Sequence, residues 1–325
     1  GMLSSQQLRK LAFISSHYDK GYGHFTTRQN IQFNWPALED VPELLAHLAE
    51  VEMHAIQTSG NCIRNTTTDQ YAGVAIDEIE DSRPYCEIIR QWSTFHPEFA
   101  YLPRKFKIAV CGTKEDHAAT QVHDIGLYLR KNDKGEIGFQ VLAGGGLGRT
   151  PVIGQVVFDF IHRHELLTAL EAILRVYYRE GRRDNKYKAR LKILVRETGL
   201  DAFCEKVLDE WEQIRGGSLT LTETEIERCK RYFQAPPYKS LDASPESLRT
   251  ILARDVLFAS WYSNNVTPHK RSGYAAVAIS FKKTGYAPGD VTEEQLNTPA
   301  DLADRVSFGE VRVTHAQNVI LAAVE

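Results

Sequence analysis

Four short clusters carry most of the residues that could do chemistry. Thr26-Thr27-Arg28-Gln29, with Gln32 after it, is a polar run entering a strand. Ser59-Gly60-Asn61-Cys62-Ile63-Arg64-Asn65 is a glycine-containing turn with one arginine. Tyr101-Leu102-Pro103-Arg104-Lys105-Phe106-Lys107 sets three cations within four positions. Ala143-Gly144-Gly145-Gly146-Leu147-Gly148-Arg149 offers backbone N–H groups with no side chains over them. On a strand, Lys105 and Lys107 face one side and Phe106 the other, so two ammonium groups repel unless an anion lies between them. A glycine run can cradle anionic oxygens as a nest. Arg28, Arg64, Arg104 and Arg149 supply forked donors suited to carboxylates. The combination points to a small anion, or to a ligand bearing several carboxylates. Each cluster also has an ordinary reading, as a solvated strand face, a flexible turn or polarity at a strand end.

Other chemistries find less support. The glycine run lacks the GxxxxGK[ST] and GxGxxG patterns of nucleotide-binding folds. Five cysteines (Cys62, Cys86, Cys111, Cys204, Cys229) are odd in number and widely spread, with no CxxC pair, which speaks against a disulfide framework or a self-contained metal site. His162 and His164, read on a helix, stand about 200° apart and do not converge on a metal. Glu165 and Glu171 lack a partner for paired-carboxylate catalysis. Arg182 to Arg196 reads as an exposed helix face with Leu191, Leu194 and Val195 inward. Lys and Arg total 39 against 42 Asp and Glu, a formal charge of −3 that does not favour nucleic acid. No apolar run approaches the ~20 residues of a membrane span. The opening GMLSSQQLRK lacks a secretory layout, giving a cytoplasmic expectation.

The elements that must position these clusters show a repeat. A helix capped by Ser4 or Ser5 carries Leu8, Leu11 and Ala12 at helical spacing. After Gly21-Tyr22-Gly23, Asn30–Trp35 alternates as a strand, and a second helix starts at Asp40 with Glu43 as its capping-box partner. Near the other end Thr298-Pro299 reads as a helix start, followed by Gly309–Leu321. Laying Gln29 on Gln317 aligns Gln-Asn, a following Ile or Val, and a Thr three positions earlier, a separation of 288 positions. The second copy has a preceding strand, Tyr274–Phe281, with no counterpart before the first helix. It also lacks a counterpart of the Val41–Leu48 helix, so the sequence reads as cut at both ends. Between the copies, Phe106–Val110 and Phe139–Leu142 read as strands. Val152–His164, Leu166–Glu180 and Lys186–Thr198 read as helices, with Gly181 and Gly199 as stops. Pro236-Pro237 and Asn264–Ser272 suit boundaries.

In this order, Thr26–Gln32, Asn61–Asn65, Tyr101–Lys107 and Gly144–Leu147 closely resemble the siroheme-dependent nitrite/sulfite reductase family, nearest the bacterial sulfite reductase hemoprotein subunit. The resemblance runs over nearly the whole chain, and Gly309–Leu321 is similar to the family's second half-repeat. It implies an α+β fold. Two ferredoxin-like half-domains (1–60, lacking its first strand, and 269–325, incomplete) would pair by pseudo-twofold symmetry beside a central α/β domain (61–268). It implies assimilatory sulfite reductase activity, six electrons taking sulfite to sulfide at siroheme iron fed by a [4Fe-4S] cluster, with nitrite to ammonia as the alternative. By motif position Arg64, Lys105 and Lys107 face the substrate, while Thr26, Thr27, Arg28, Gln32, Arg104, Gly144, Gly145 and Gly146 contact siroheme. His24 stands where some members have arginine. The family's cluster cysteines, C-x5-C…C-x3-C, are expected beyond Glu325, and another substrate-binding arginine before Gly1, so that this segment alone would be inactive. Cys62 reads as buried packing. The donor implied is an NADPH-dependent flavoprotein or ferredoxin. A complete chain of this length would instead be a non-catalytic siroheme- or anion-binding module.

Overall fold

The computed structural model describes residues 1–242 and 245–325. The chain opens with β1 (Met2–Ser4), α1 (Ser5–His17), β2 (Tyr22–Phe25), β3 (Ile31–Gln32) and α2 (Val41–Ala49). Its middle holds β4 (Thr67–Thr68), α3 (Arg83–Ser93), β5 (Ile108–Cys111), β6 (Ile125–Lys131), β7 (Ile137–Ala143) and β8 (Gln155–His162). Helices α4 (Leu166–Glu180), α5 (Leu191–Thr198), α6 (Leu200–Ile214) and α7 (Glu223–Lys230) follow. Last come α8 (Glu246–Arg254), α9 (Val256–Asn265), β9 (Val266–Pro268), β10 (Ala275–Ile279), β11 (Asp290–Thr292), α10 (Glu293–Val306), β12 (Glu310–Val313) and β13 (Val319–Val324). The architecture is α+β. It divides into one unit of Gly1–Ala55, Val74–Ile76 and Ala235–Glu325 and another of Ile56–Gly73 and Asp77–Gln234. Residues 235–268, expected with the central segment, thus group with the first unit, and the change falls beside Pro236-Pro237.

In the first unit the repeat is a reciprocal exchange of strands. β1 pairs antiparallel with β12, Ser4 opposite Glu310 and Met2 opposite Arg312. β11 pairs with β2 by the same rule, Thr292 opposite Tyr22 and Asp290 opposite His24. Each residue of one pairing lies 288 positions from its counterpart in the other. The helix caps obey the same offset. Ser4 and Gln7 close a capping box on α1, and Thr292 and Gln295 close one on α10, each satisfying two orphan backbone donors. Gln29 (φ 56°) and Gln317 (φ 62°) hold the left-handed corner of two equivalent turns. Leu8, Leu11 and Ile14 of α1 and Leu296, Ala300 and Ala303 of α10 bury against Phe25, Val311 and Val319. Each such leucine contributes about 1.5–3 kcal/mol.

Two helix starts differ from expectation in this unit. Thr298 does not cap α10; its hydroxyl donates to Glu294 O, and Pro299 lies inside the helix, because the Thr292 box already sets the start six residues earlier. Asp40 makes no cap bond to α2, since a single 3-10 turn (Leu38–Asp40) holds its backbone helical at φ −83°, ψ −13°. The Asn30–Trp35 strand shrinks to Ile31–Gln32.

The first unit also carries a buried acid-sensitive group. His269 is 6% exposed. Its Nδ1 accepts the Arg271 N–H at 2.7 Å, which leaves the Nε2 hydrogen to the Tyr238 hydroxyl at 3.2 Å. Burial pushes its pKa from 6.5 down to about 4. The unfolded chain therefore binds a proton that the fold refuses, and stability is lost as pH falls from 6.5 toward 4. The loss amounts to about 3 kcal/mol. Urea midpoints measured across that window in wild type and His269→Gln check this: the variant's acid slope is expected to flatten, and an unchanged slope would refute the assignment.

In the second unit β4, β5 and β6 run parallel, and β6, β7 and β8 antiparallel. β5 is an unbroken buried run, Ile108-Ala109-Val110-Cys111, as a parallel strand covered on both faces requires. Behind the sheet, α4 is buried along nearly its whole length, from Leu166 to Tyr177. Val152–His164 is not a helix. Gln155–His162 forms β8 on β7, Gly138 opposite His162 and Ala143 opposite Gln155. Its Val, Phe and Ile content favours a pleated surface over the helical period that the apolar spacing also fits. His162 and His164 then stack, with ring centroids 4.7 Å apart, where helical geometry would separate them. The helix read over Lys186–Thr198 begins only at Leu191. Among the described residues no helix is long and apolar enough to cross a membrane.

Candidate functional site

Backbone bonds bring two of the basic clusters together in the second unit. Phe106 N–H donates to Cys62 O (3.0 Å) and Arg64 N–H to Phe106 O (2.8 Å), so the Asn61–Asn65 turn and the Tyr101–Lys107 run lie side by side ahead of β5. Phe106 is fully buried while Lys105 and Lys107 are half-buried, the alternation a strand imposes. Arg64 is held by its own turn, its Nη1 on Thr58 O at 2.6 Å and its Nε on Gly60 O at 3.1 Å. Burial holds its pKa below the usual value, and Arg104 and Arg190 add to that. Lys105 is likewise pulled down, by burial first and then by Arg64, Arg190 and Arg104. A packed cation among three like charges is held in an unfavourable state, and an anion would relieve it.

The counter-charge is Asp124, which motif reading missed. Its carboxylate is fully buried and takes a fork from Arg190, Nε to Oδ1 at 3.0 Å and Nη2 to both oxygens at 2.8 Å. It also accepts the Lys107 N–H at 2.8 Å. Burial pushes its pKa up against the pull of Arg190. Arg190 is therefore no part of an exposed helix face: its side chain is 14% exposed. The loop just before it is fixed by the buried Tyr177 of α4, whose hydroxyl donates to Ala189 O at 2.7 Å. Lys192, the second residue of α5, is 8% exposed and reaches back to Leu147 O at 3.3 Å and to Thr150 O.

The glycine run is a packed corner rather than a flexible nest. Gly144 N–H donates to Asp124 O and Gly146 N–H to Val152 O, both at 2.9 Å, so two of the expected donors are already engaged. Gly144 sits at φ +81°, and a Cβ on Gly145 would stand 2.3 Å from Gln121 O and 2.5 Å from His123 O. A Cβ on Gly146 would meet only Lys192 Cδ at 3.2 Å and Arg190 Nη2 at 3.4 Å. Gly146 thus lets the Lys192 stem and the Arg190 guanidinium pack closely against the backbone of the corner. Arg149 is exposed and Cys62 half-buried, with its thiol on Ser59 O at 3.2 Å, not the buried packing expected.

In the first unit the polar run forms the turn after β2. Thr26 Oγ1 accepts the N–H groups of Arg28 (3.2 Å) and Asn30 (3.3 Å). Thr314 does the same for Asn318 at 3.1 Å in the second copy. The residues the two turns share, Thr, Gln and Asn, are thus accounted for by the turn itself. Thr27 and Arg28 stand where the second copy has His315 and Ala316, so the turn does not require them. Thr27 and Gln32 are exposed. His24 is tied to Asp290 at 2.7 Å.

The donor set fits a polyanion. Arg64, Arg104 and Arg190 crowd Lys105, and the carboxylate that faces it, Asp124, is already forked by Arg190. Among the described residues no three His, Cys, Asp or Glu gather to hold a metal. Burial pushes the Cys62, Cys111, Cys204 and Cys229 thiols up, away from the thiolate a metal needs.

Comparison with known proteins covers both units. A profile described as "Nitrite and sulphite reductase 4Fe-4S domain" matches residues 59–215, and "Nitrite/Sulfite reductase ferredoxin-like half domain" matches 1–51 and 270–325. Ferredoxin–nitrite reductase of Arabidopsis thaliana is 29% identical over this whole chain and 50% of its own length. That of Synechococcus elongatus is 30% identical over the whole chain and 57% of its own. Sulfite reductase [ferredoxin] 1 of Mycolicibacterium paratuberculosis is 31% identical over 64% of this chain and 37% of its own length. The solved structure of Mycobacterium tuberculosis NirA superposes with a TM-score of 0.77 at 25% identity, covering all of this chain and 52% of that one. The chain spans about half the length of the curated relatives it matches end to end.

Proposed function

The chain belongs to the siroheme-dependent nitrite and sulphite reductase family, and from that premise we propose that the protein reduces sulfite to sulfide with electrons from ferredoxin. The observation that carries the reading is the charge imbalance around Lys105, where several packed cations share one buried carboxylate. Sulfite, which is partly a dianion at neutral pH, gains more from such a cluster than a monoanion does. Arg64, Lys105 and Lys107 are assigned to the substrate anion. Thr26, Thr27, Arg28, Gln32, Arg104 and the Gly144–Gly146 corner are assigned to the carboxylates of siroheme. Siroheme, when bound, would supply the redox centre for the anion, and the residues assigned to its carboxylates would hold it.

What the chain's own residues do follows from their charge. Forked and ammonium donors hold the anion's oxygens and neutralise the charge that builds as electrons arrive. Lys105, its pKa held down by burial and neighbouring arginines, gives up a proton more readily than an ordinary lysine and so acts as acid for oxygens leaving as water. Burial of Phe106 beneath it fixes the ammonium's direction.

Nitrite is the second reading, favoured because two relatives matched along the whole of this chain are named nitrite reductases. Steady-state kcat/KM of the cofactor-loaded protein with reduced ferredoxin decides between them. The sulfite reading expects the larger value for sulfite, with sulfide as product. Efficient reduction of nitrite alone replaces it with the second. Turnover with an NADPH-dependent flavoprotein but not with ferredoxin overturns the donor.

A further inference from the structure

The bonds made by Asp124 converge from three directions. Its carboxylate holds Arg190 through Nε and Nη2, from a loop 66 positions away in sequence. The same carboxylate takes the backbone N–H of Lys107, fixing the segment on which Lys105 and Lys107 alternate with Phe106. Its own carbonyl accepts Gly144 N–H, fixing the glycine corner. The Arg190 fork uses Nε and Nη2, and among the described residues Nη1 makes no hydrogen bond. Nη2 lies 3.4 Å from where a Gly146 Cβ would stand, so the guanidinium packs against the glycine corner.

We propose that Asp124 is the positioning residue of the oxyanion site, and that it aims Arg190 so that Nη1 serves as a further anion contact beside Arg64, Lys105 and Lys107. The inference rests on the anion-binding reading given above and deepens it. A buried carboxylate beside an anion site is otherwise counterproductive, since its charge repels the ligand. It pays only if the arginine it orients contributes more than the carboxylate subtracts.

That opposition gives a test by sign. Asp124→Asn is nearly isosteric and removes one negative charge. A carboxylate that merely neutralises the cluster predicts tighter anion binding in the variant. A positioning carboxylate predicts weaker binding, because the amide keeps one acceptor oxygen and must turn its NH2 toward either Arg190 or the Lys107 N–H, which the two carboxylate oxygens now serve together. The probe is inorganic sulfate, which is not reduced, titrated by calorimetry into the cofactor-free chain, with sulfite KM and kcat of the loaded protein measured alongside. The expected result is a sulfate affinity lowered about tenfold or more, a sulfite KM raised more than kcat falls, and circular dichroism unchanged. Arg190→Lys, which keeps the charge without the fork, should show the same loss, and the double variant should lose no more than either single one. If Asp124→Asn fails to fold, Arg190→Lys decides alone. Unchanged or tighter sulfate binding in the folded variants overturns the proposal while wild-type reduction continues. A wild type that binds no sulfate and reduces neither anion overturns the functional reading, and the proposal with it.

Discussion

Replacing Lys105 and Lys107 together by alanine is expected to lower kcat/KM for the reducible anion by a hundredfold to a thousandfold or more, on the order of what a lost preorganised electrostatic donor costs. Siroheme content per chain should hold, because the forked donors assigned to its carboxylates remain. The cofactor-free protein should respond in the opposite direction. Burial and three arginines hold the Lys105 pKa below its usual 10.5, so the unfolded chain binds the proton more readily than the fold does. Stability contributed by this group therefore rises with pH, from its depressed folded pKa up to the ordinary 10.5. Lys105→Ala removes that dependence and relieves the repulsion, so cofactor-free stability is expected to stay level or increase while activity collapses. Such opposed changes mark a residue kept for chemistry at the fold's expense. Steady-state kinetics, siroheme absorbance and urea midpoints of the single and double variants test it. Activity within a factor of a few of wild type would remove both lysines from the substrate site.

How much of this was legible in the sequence depends on whether the signal was local. The repeat could be read because its turns reuse the same chemistry: a Thr hydroxyl bonding N–H groups ahead of it and a Gln in left-handed backbone, 288 positions apart. What could not be read was that the copies trade strands, since Met2–Ser4 is too short to announce itself and its partner lies at Glu310–Arg312. β8 was misread because Val-Val-Phe-Asp-Phe-Ile satisfies both the helical and the strand period, and only pairing with β7 resolves it. Of the site, the cations on the Tyr101–Lys107 run were visible because three in four positions is unusual. Asp124 was invisible. One aspartate between His123 and Ile125 carries no motif, and the arginine that explains it arrives 66 residues later. Arg190 was hidden in turn by neighbours that are solvated: Arg182, Arg183 and Lys186 made the whole stretch resemble a surface face, while Tyr177 pins the next residue inside.

The glycine run separates packing from function within three residues, and alanine substitution should expose the division. Gly145→Ala places a methyl 2.3 Å and 2.5 Å from two backbone carbonyl oxygens, which cannot swing aside as a side chain can. The corner must shift, and with it the Gly144 bond to Asp124, so a loss of about 3 kcal/mol is expected. Gly146→Ala meets only the flexible stem of Lys192 and the edge of Arg190 at 3.2 Å and 3.4 Å. Its cost to folding should be smaller, about 1 kcal/mol. The new methyl nonetheless stands on the face that the two cations border, so anion affinity is expected to fall where stability does not. Thermal denaturation together with sulfate titration of the two variants distinguishes the roles. A stable Gly145→Ala protein would mean the corner is looser than its contacts imply. A Gly146→Ala protein with undiminished sulfate and siroheme binding would mean that the corner beside Arg190 and Lys192 receives neither ligand, and would confine the site to the Arg64–Lys105–Lys107 side of the cluster.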